Sequence, residues 1–226
     1  MNRPHTLVIE TSTPEASIAL VSDDGSIQQH TFCSDRNHNA LLFAPLTELL
    51  DNHDRKQIGL VLVGSGPGSY SGTRVGIAAA QGVAIALGCP AVAMPSILAV
   101  ASAEKGANCL AIGDARRGSY WSAMMSDSKL LQIPTLCDAD SLGAIISSAS
   151  EESTPVIAFE DAERFPVADT LKSQIHIEYP DATRLWHAWQ STPEETQIAW
   201  RAEIPQPIYL KPPHITPGKR ASLLNP

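Results

Sequence analysis

An apolar run from Ile58 to Val63 leads straight into Gly64-Ser65-Gly66-Pro67-Gly68-Ser69-Tyr70-Ser71-Gly72-Thr73-Arg74-Val75-Gly76, and a helix-like run follows from Val75 to Leu87. The order is strand, glycine loop, helix. Glycines and a proline ahead of Tyr70 fix a tight turn, because glycine permits positive φ and close backbone approach. Such a loop bares amide N–H groups at a helix N-terminus, where an anion can sit. Gly66, Gly68 and Ser69 are therefore candidates for a phosphate cradle; the other reading is a turn shaped for packing. The spacing is neither G-x-x-x-x-G-K-[ST] nor a clean G-x-G-x-x-G, and no lysine follows the loop.

The helix after the loop narrows the choice further. Val75 to Leu87 carries no charged side chain and is rich in alanine and glycine. A helix that is apolar all round has to be covered all round. Either it is buried inside one domain, or its own sheet covers one side and another protein the other. On the second reading Val75, Ile77, Val83, Ile85 and Leu87 cover the sheet, and the small residues face outward. Asn39 to Leu50 places leucines at helical spacing beside it. The partner surface expected from these two helices comprises Leu41, Leu42 and Pro45 with Arg74, Ala78, Ala79, Gln81 and Gly82.

Taken in order, Thr6 to Ile9 reads as a buried strand, Glu10 to Pro14 as a polar turn and Ala16 to Val21 as a second strand. Asp23-Asp24-Gly25 is a hairpin signal before a third strand, Ser26 to Phe32. Helix 39–50, strand 58–63, the glycine loop and its helix follow. Ala91 to Met94 is a short strand, and a helix is predicted from Pro95 to about Glu104. Three antiparallel-type strands followed by helix–strand–helix–strand make an α/β unit of ribonuclease-H-like or actin-like kind. Leu110 to Met124 repeats the strand–turn–strand shape of Leu7 to Leu20. The simplest organisation is two lobes with mixed sheets flanked by helices: residues 1–105, and a smaller second lobe over 106–205. Helices at 140–149 and 183–190 and strands at 155–159 and 173–177 complete the second lobe. The proline-rich tail, 206–226, is expected to pack back on the first lobe.

Composition excludes several classes. A formal net charge of −8 opposes binding of nucleic acid through a basic face of this chain alone. Cys33, Cys89, Cys109 and Cys137 are scattered without a C-x-x-C pair, which supports neither a metal nor a redox motif and suits a reducing cytoplasm. Neither a signal peptide nor a membrane span is expected.

The motifs resemble those of the bacterial TsaB family. Gly66-Pro67-Gly68-Ser69-Tyr70-Ser71-Gly72-Thr73-Arg74-Val75-Gly76 is similar to its G-P-G-S-[FY]-T-G-x-R-[IV]-G signature. Leu7 to Thr13 resembles its opening I-D-T-S-T, Asp114 to Tyr120 its D-A-R-x-G-x-V-Y, and Pro207 to Lys211 its closing P-x-Y-L-R. Glu10 stands where the family usually has Asp, Ser71 where it has Thr, and Lys211 where it has Arg. The resemblance implies a cytoplasmic, non-catalytic subunit of the system that makes N6-threonylcarbamoyladenosine in tRNA. It implies a TsaD-type transferase and a TsaE-type ATPase as partners, a homodimer when the chain is alone, tRNA reached only through the complex, and no cofactor. The TsaD transferase carries an H-x-x-x-H metal pair whose two positions fall here on Ser96 and Val100. Valine has no donor atom and a serine hydroxyl is a poor ligand, so neither a metal nor a catalytic residue is assigned. The rival reading is a nucleotide-binding phosphotransferase or a peptidase of the same superfamily, which the glycine loop and the Glu10-Thr11-Ser12-Thr13 turn favour.

Other candidates read as structural. His30, His38, His176, His187 and His214 form no ligand set by spacing, and Trp186, Trp189 and Trp200 read as core. Arg116-Arg117-Gly118 reads as a tight hairpin with solvated arginines, with a phosphate contact as the alternative.

Overall fold

A computed structural model describes residues 4–33, 38–106 and 108–211, with the backbone alone at 38–40. The first half begins with β1 (His5–Glu10), β2 (Glu15–Val21) and β3 (Ile27–Cys33), joined by antiparallel pairing. Helix α1 (His38–Asp51) leads to β4 (Ile58–Gly64), then α2 (Tyr70–Leu87) and β5 (Ala91–Met94). The sheet order is β3-β2-β1-β4-β5, with β4 parallel to β1 and β5 parallel to β4. This is the ribonuclease-H-like arrangement expected from the strand and helix order.

Period-two alternation sends the two faces of this sheet to different cores. Leu7, Ile9, Ile18, Leu20, Val61 and Val63 face α1 and α2. Val8, Ala19, Val21, Leu60 and Leu62 face the other way. Both faces are covered, which is why these strands read as unbroken apolar runs. Helix α1 buries Leu42, Leu46 and Leu49, the i, i+4, i+7 stripe of an amphipathic helix.

After the short α3 (Ala101–Glu104), the second half supplies β6 (Cys109–Asp114), β7 (Tyr120–Ser126), β8 (Lys129–Leu130), β9 (Thr135–Cys137), α4 (Ala139–Glu151), β10 (Val156–Ala158), α5 (Asp169–Lys172) and β11 (Ile175–Ile177). Its sheet order is β11-β10-β6-β7-β8, with β9 also pairing β7. With β6, β7, β10 and β11 in the places of β1, β2, β4 and β5, order and strand sense repeat those of the first sheet. The likeness between Leu7–Leu20 and Leu110–Met124 thus extends from local shape to topology.

Helices α6 (Ala182–Ser191) and α7 (Glu194–Ala202) follow β11 in the chain but lie against the first sheet: α6 on β1, β2 and β4, and α7 on β5. Ala182, Leu185, Ala188 and Trp189 of α6 share one core with Val8 and Leu62 of the first sheet and with Ala111, Trp121 and Ile157 of the second. Trp186 and Trp200 pack partly buried against the same core. The two sheets are therefore held together by a continuous apolar interior.

Several elements differ from the sequence reading, which has no counterpart of the short β8, β9 and α5. The helix expected over Pro95 to Glu104 is broken into a 3-10 turn, Ser96–Leu98, and α3, because Val100 is extended at φ −111°. Helix α2 starts at Tyr70, because the Ser69 hydroxyl caps it by accepting the Gly72 N–H at 3.2 Å. Helix α7 was not foreseen; its first turn carries Glu194 and Glu195, and Arg201 lies in its last turn, both favourable to the helix dipole. Of the histidines, His30 lies on β3, His176 on β11 and His187 on α6, while the His38 side chain and the chain from Pro212 on, with His214, lie outside the described residues. Among the described residues no helix is long and apolar enough to cross a membrane.

Candidate functional site

The strand ends of both sheets open on one cleft of about 1050 Å³ between the lobes. On the first-lobe side the turn after β1 and the glycine loop after β4 line it; on the second-lobe side the turn after β6 and the residues after β10 do so. Residues 207–211 run across it as a strap.

The glycine loop is tied down from several sides. Gly66 N–H donates to the Ser96 hydroxyl at 2.9 Å and Ser96 N–H donates to Gly66 O at 2.8 Å. Ser69 N–H donates to Ser12 O at 2.6 Å, and the Ser69 hydroxyl is used as the α2 cap. A Cβ on Gly68 would collide with the Ser12 carbonyl, so only glycine lets the loop lie against the β1–β2 turn. Of the three phosphate-cradle candidates, Gly66 and Ser69 have thus committed their amides to the protein, and Gly68 serves close packing. This geometry fits a turn shaped for packing better than an anion site.

Beneath the loop lies Glu10, with no exposed surface. One carboxyl oxygen accepts the Ser12 N–H at 2.7 Å, and the other, also buried, makes no hydrogen bond. Burial raises the Glu10 pKa, more than the hydrogen bonding from Ser12 lowers it. The extra methylene of Glu10, compared with the aspartate usual in the resembling family, carries its carboxyl onto Gly64, where a Cβ would collide with it.

Across the cleft, Arg116 and Arg117 both take positive φ, 65° and 56°, in a tight turn closed by Ala115 N–H to Ser119 O at 2.9 Å. Asp114 accepts from Arg116 N–H at 2.6 Å and from its guanidinium at 3.1 Å. The hairpin with solvated arginines is what forms. Glu160, just beyond β10, has a buried carboxyl oxygen without a hydrogen-bond partner. Burial, then the nearby Asp114 charge, pushes its pKa up to about 7 against the opposing pull of Arg116 and Arg164. A titrating group in a cleft is a functional candidate, and the sequence reading missed it. A lone glutamate after a short strand gives no signal of its own burial.

The second surface is the outside of α2. Ser71, Arg74, Ala78, Gly82 and Ile85 are exposed and fall on one helical stripe, with Gln81 half-buried beside it. Ile85 is 82% exposed, and nothing lies within 4 Å of where a Gly82 Cβ would stand. The expected sides of α2 are thus partly reversed. Gly76, Ala79, Ala80 and Ala84 face inward, and a Cβ on Gly76 would collide with the Thr11 hydroxyl. That hydroxyl donates to Gly72 O at 2.8 Å and draws the helix close to the sheet, leaving room only for small residues. Ala79 and, on α1, Leu42 belong to the first-lobe core and are not on the surface. Leu41, at 41% exposure, and the half-buried Pro45 remain accessible on α1, as does Phe43, which the sequence reading omitted.

A model of the TsaD family, tRNA N6-adenosine threonylcarbamoyltransferase, matches residues 32–152, more than half of the chain. The chain belongs to the TsaD family. Curated relatives named tRNA threonylcarbamoyladenosine biosynthesis protein TsaB include one from Escherichia coli (strain K12), 31% identical over 128 residues, covering 54% of this chain and 55% of that protein. Another, from Bacillus subtilis (strain 168), is 30% identical over 122 residues, covering 52% of this chain and 53% of that one. The chain spans about half the length of the curated relatives it matches. A crystal structure of an uncharacterized protein with similarity to peptidase YeaZ, from Pseudomonas aeruginosa, superposes with a TM-score of 0.69 at 21% identity, covering 93% of this chain and 100% of that one. The shared fold extends over nearly all of the chain.

Within this family, the two positions that resemble the transferase metal pair do not fit a metal. Ser96 is fully buried with its hydroxyl engaged by Gly66 N–H, and Val100 is fully buried with no donor atom in its side chain.

Proposed function

We propose that this chain serves tRNA N6-threonylcarbamoyladenosine biosynthesis as a non-catalytic, cytoplasmic subunit that binds a TsaD-type transferase. The observation that carries this reading is the exposed small-residue stripe of α2, from Arg74 through Ala78 and Gly82 to Ile85. Small residues let a second helix approach closely, and a contiguous exposed apolar strip marks an interaction site. The filled Ser96 and Val100 positions supply no metal for transfer, and the formal charge of −8 directs tRNA contacts to the partner. The same stripe would serve a homodimer when the transferase is absent, and a TsaE-type ATPase would act on the assembled complex.

Ala78→Glu tests this reading, because Ala78 is exposed and the substitution leaves the first-lobe core untouched. The variant should melt with the parent protein and lose capture of a TsaD-type subunit in a pull-down. Undiminished capture would refute the surface. The cleft favours a second reading, a nucleotide-binding enzyme, and calorimetric titration of the isolated protein with ATP separates the two: binding at micromolar concentration supports the enzyme.

A further inference from the structure

Resting on that reading, we propose that the C-terminal strap, residues 204–211, forms the second half of the partner surface and links its occupancy to the interlobe cleft. The strap follows α7 and contacts α2 first. Gln81 donates its side-chain N–H to Pro205 O at 3.2 Å. Arg74 donates from Nε and Nη2 to the Tyr209 hydroxyl at 3.1 and 2.9 Å. The Arg74 guanidinium also lies 3.9 Å from the Tyr70 ring centroid and 5.4 Å from that of Tyr209. Between these anchors, Ile208 N–H donates to Ser65 O at 2.9 Å, at the root of the glycine loop. At its far end Lys211 reaches the other lobe and donates to Arg116 O at 2.8 Å.

Both anchors on α2 flank Ala78 on the outer face of the helix. A partner helix crossing over Ala78 and Gly82 therefore meets Arg74 and Gln81, the two side chains that hold the strap. Ile204, 74% exposed, and Tyr209, 50% exposed, extend the same apolar surface beyond the helix. Among the described residues no carboxylate pairs with Arg74. The occupant that fits is thus a helix of the transferase-type partner with small residues at the crossing and a carboxylate facing Arg74. Seating it fixes the Arg74 and Gln81 rotamers and so the strap. Through Ile208 and Lys211 the strap holds the glycine loop and the second-lobe turn on opposite walls of the cleft. Because coupling between sites is reciprocal, loosening the strap at Lys211 must weaken binding at α2.

Hydrogen exchange of the full chain, with and without a TsaD-type subunit, tests the link. On complex formation the Ile208 amide should slow about tenfold, together with amides of α2. In a second measurement, Lys211→Ala, changed at a residue away from the α2 stripe, should raise the Kd for the subunit about fivefold. If α2 is protected while Ile208 exchanges at its free rate, or if Lys211→Ala leaves the Kd unchanged, the strap proposal is overturned and the α2 interface stands. If no complex forms, the α2 interface fails and the strap proposal with it.

Discussion

Glu160 offers the sharpest test of the cleft as described. One of its carboxyl oxygens is buried without a partner, and its pKa is pushed up to about 7, chiefly by burial and next by Asp114. In the unfolded chain the group titrates near its ordinary value of 4.5. The folded state therefore holds the proton more tightly than the unfolded state. Stability from this group is complete below pH 4.5 and is lost as pH rises through about 7. The ceiling on the loss is about 3 kcal/mol, since each pH unit between the two values is worth about 1.4 kcal/mol. That is a large part of the ~5–15 kcal/mol typical of a domain. Glu160→Gln keeps the size of the side chain and removes the titration. Urea unfolding of both proteins from pH 4.5 to 8.5 should show the variant gaining on the parent as pH rises, by about 2–3 kcal/mol across the range. Every other ionisable group is common to both proteins and cancels in the difference. Two stability curves that run parallel across this range would show that Glu160 is hydrated and not buried in the cleft wall.

Two further outcomes follow from α2. Ala80→Arg forces a long cation into a fully buried site beneath the helix, and should cost about 4 kcal/mol or more, read as loss of the cooperative melt. Ser69→Ala removes the hydroxyl that caps Gly72 and should cost about 1 kcal/mol by urea unfolding; a cost near zero would show that the glycine loop holds the helix start unaided.

Much of the fold follows from sequence alone. The apolar runs at Leu7–Ile9 and Leu60–Val63 are continuous because both faces of their sheet are covered, and their turn signals set the strand ends. Leu42, Leu46 and Leu49 mark the inner face of α1 by spacing. The glycine loop is legible as a close approach, and Gly68 against Ser12 is the contact that requires it. The repeat of strand, turn and strand at Leu110 announces the second sheet. Tertiary structure decided the rest. Periodicity cannot orient α2, whose apolar residues surround it; the Thr11 hydroxyl bonded to Gly72 O draws the helix onto the sheet, so alanine and glycine turn inward and Ile85 outward. Nothing local places α6 against the first sheet, because only the assembled pair of sheets creates the shared core that Leu185 and Trp189 fill. Burial of Glu10 and Glu160, and the reach of Tyr209 to Arg74 and of Lys211 to Arg116, depend on segments far apart in the chain, and a residue's neighbours in sequence do not specify the solvent or the charges it meets after folding.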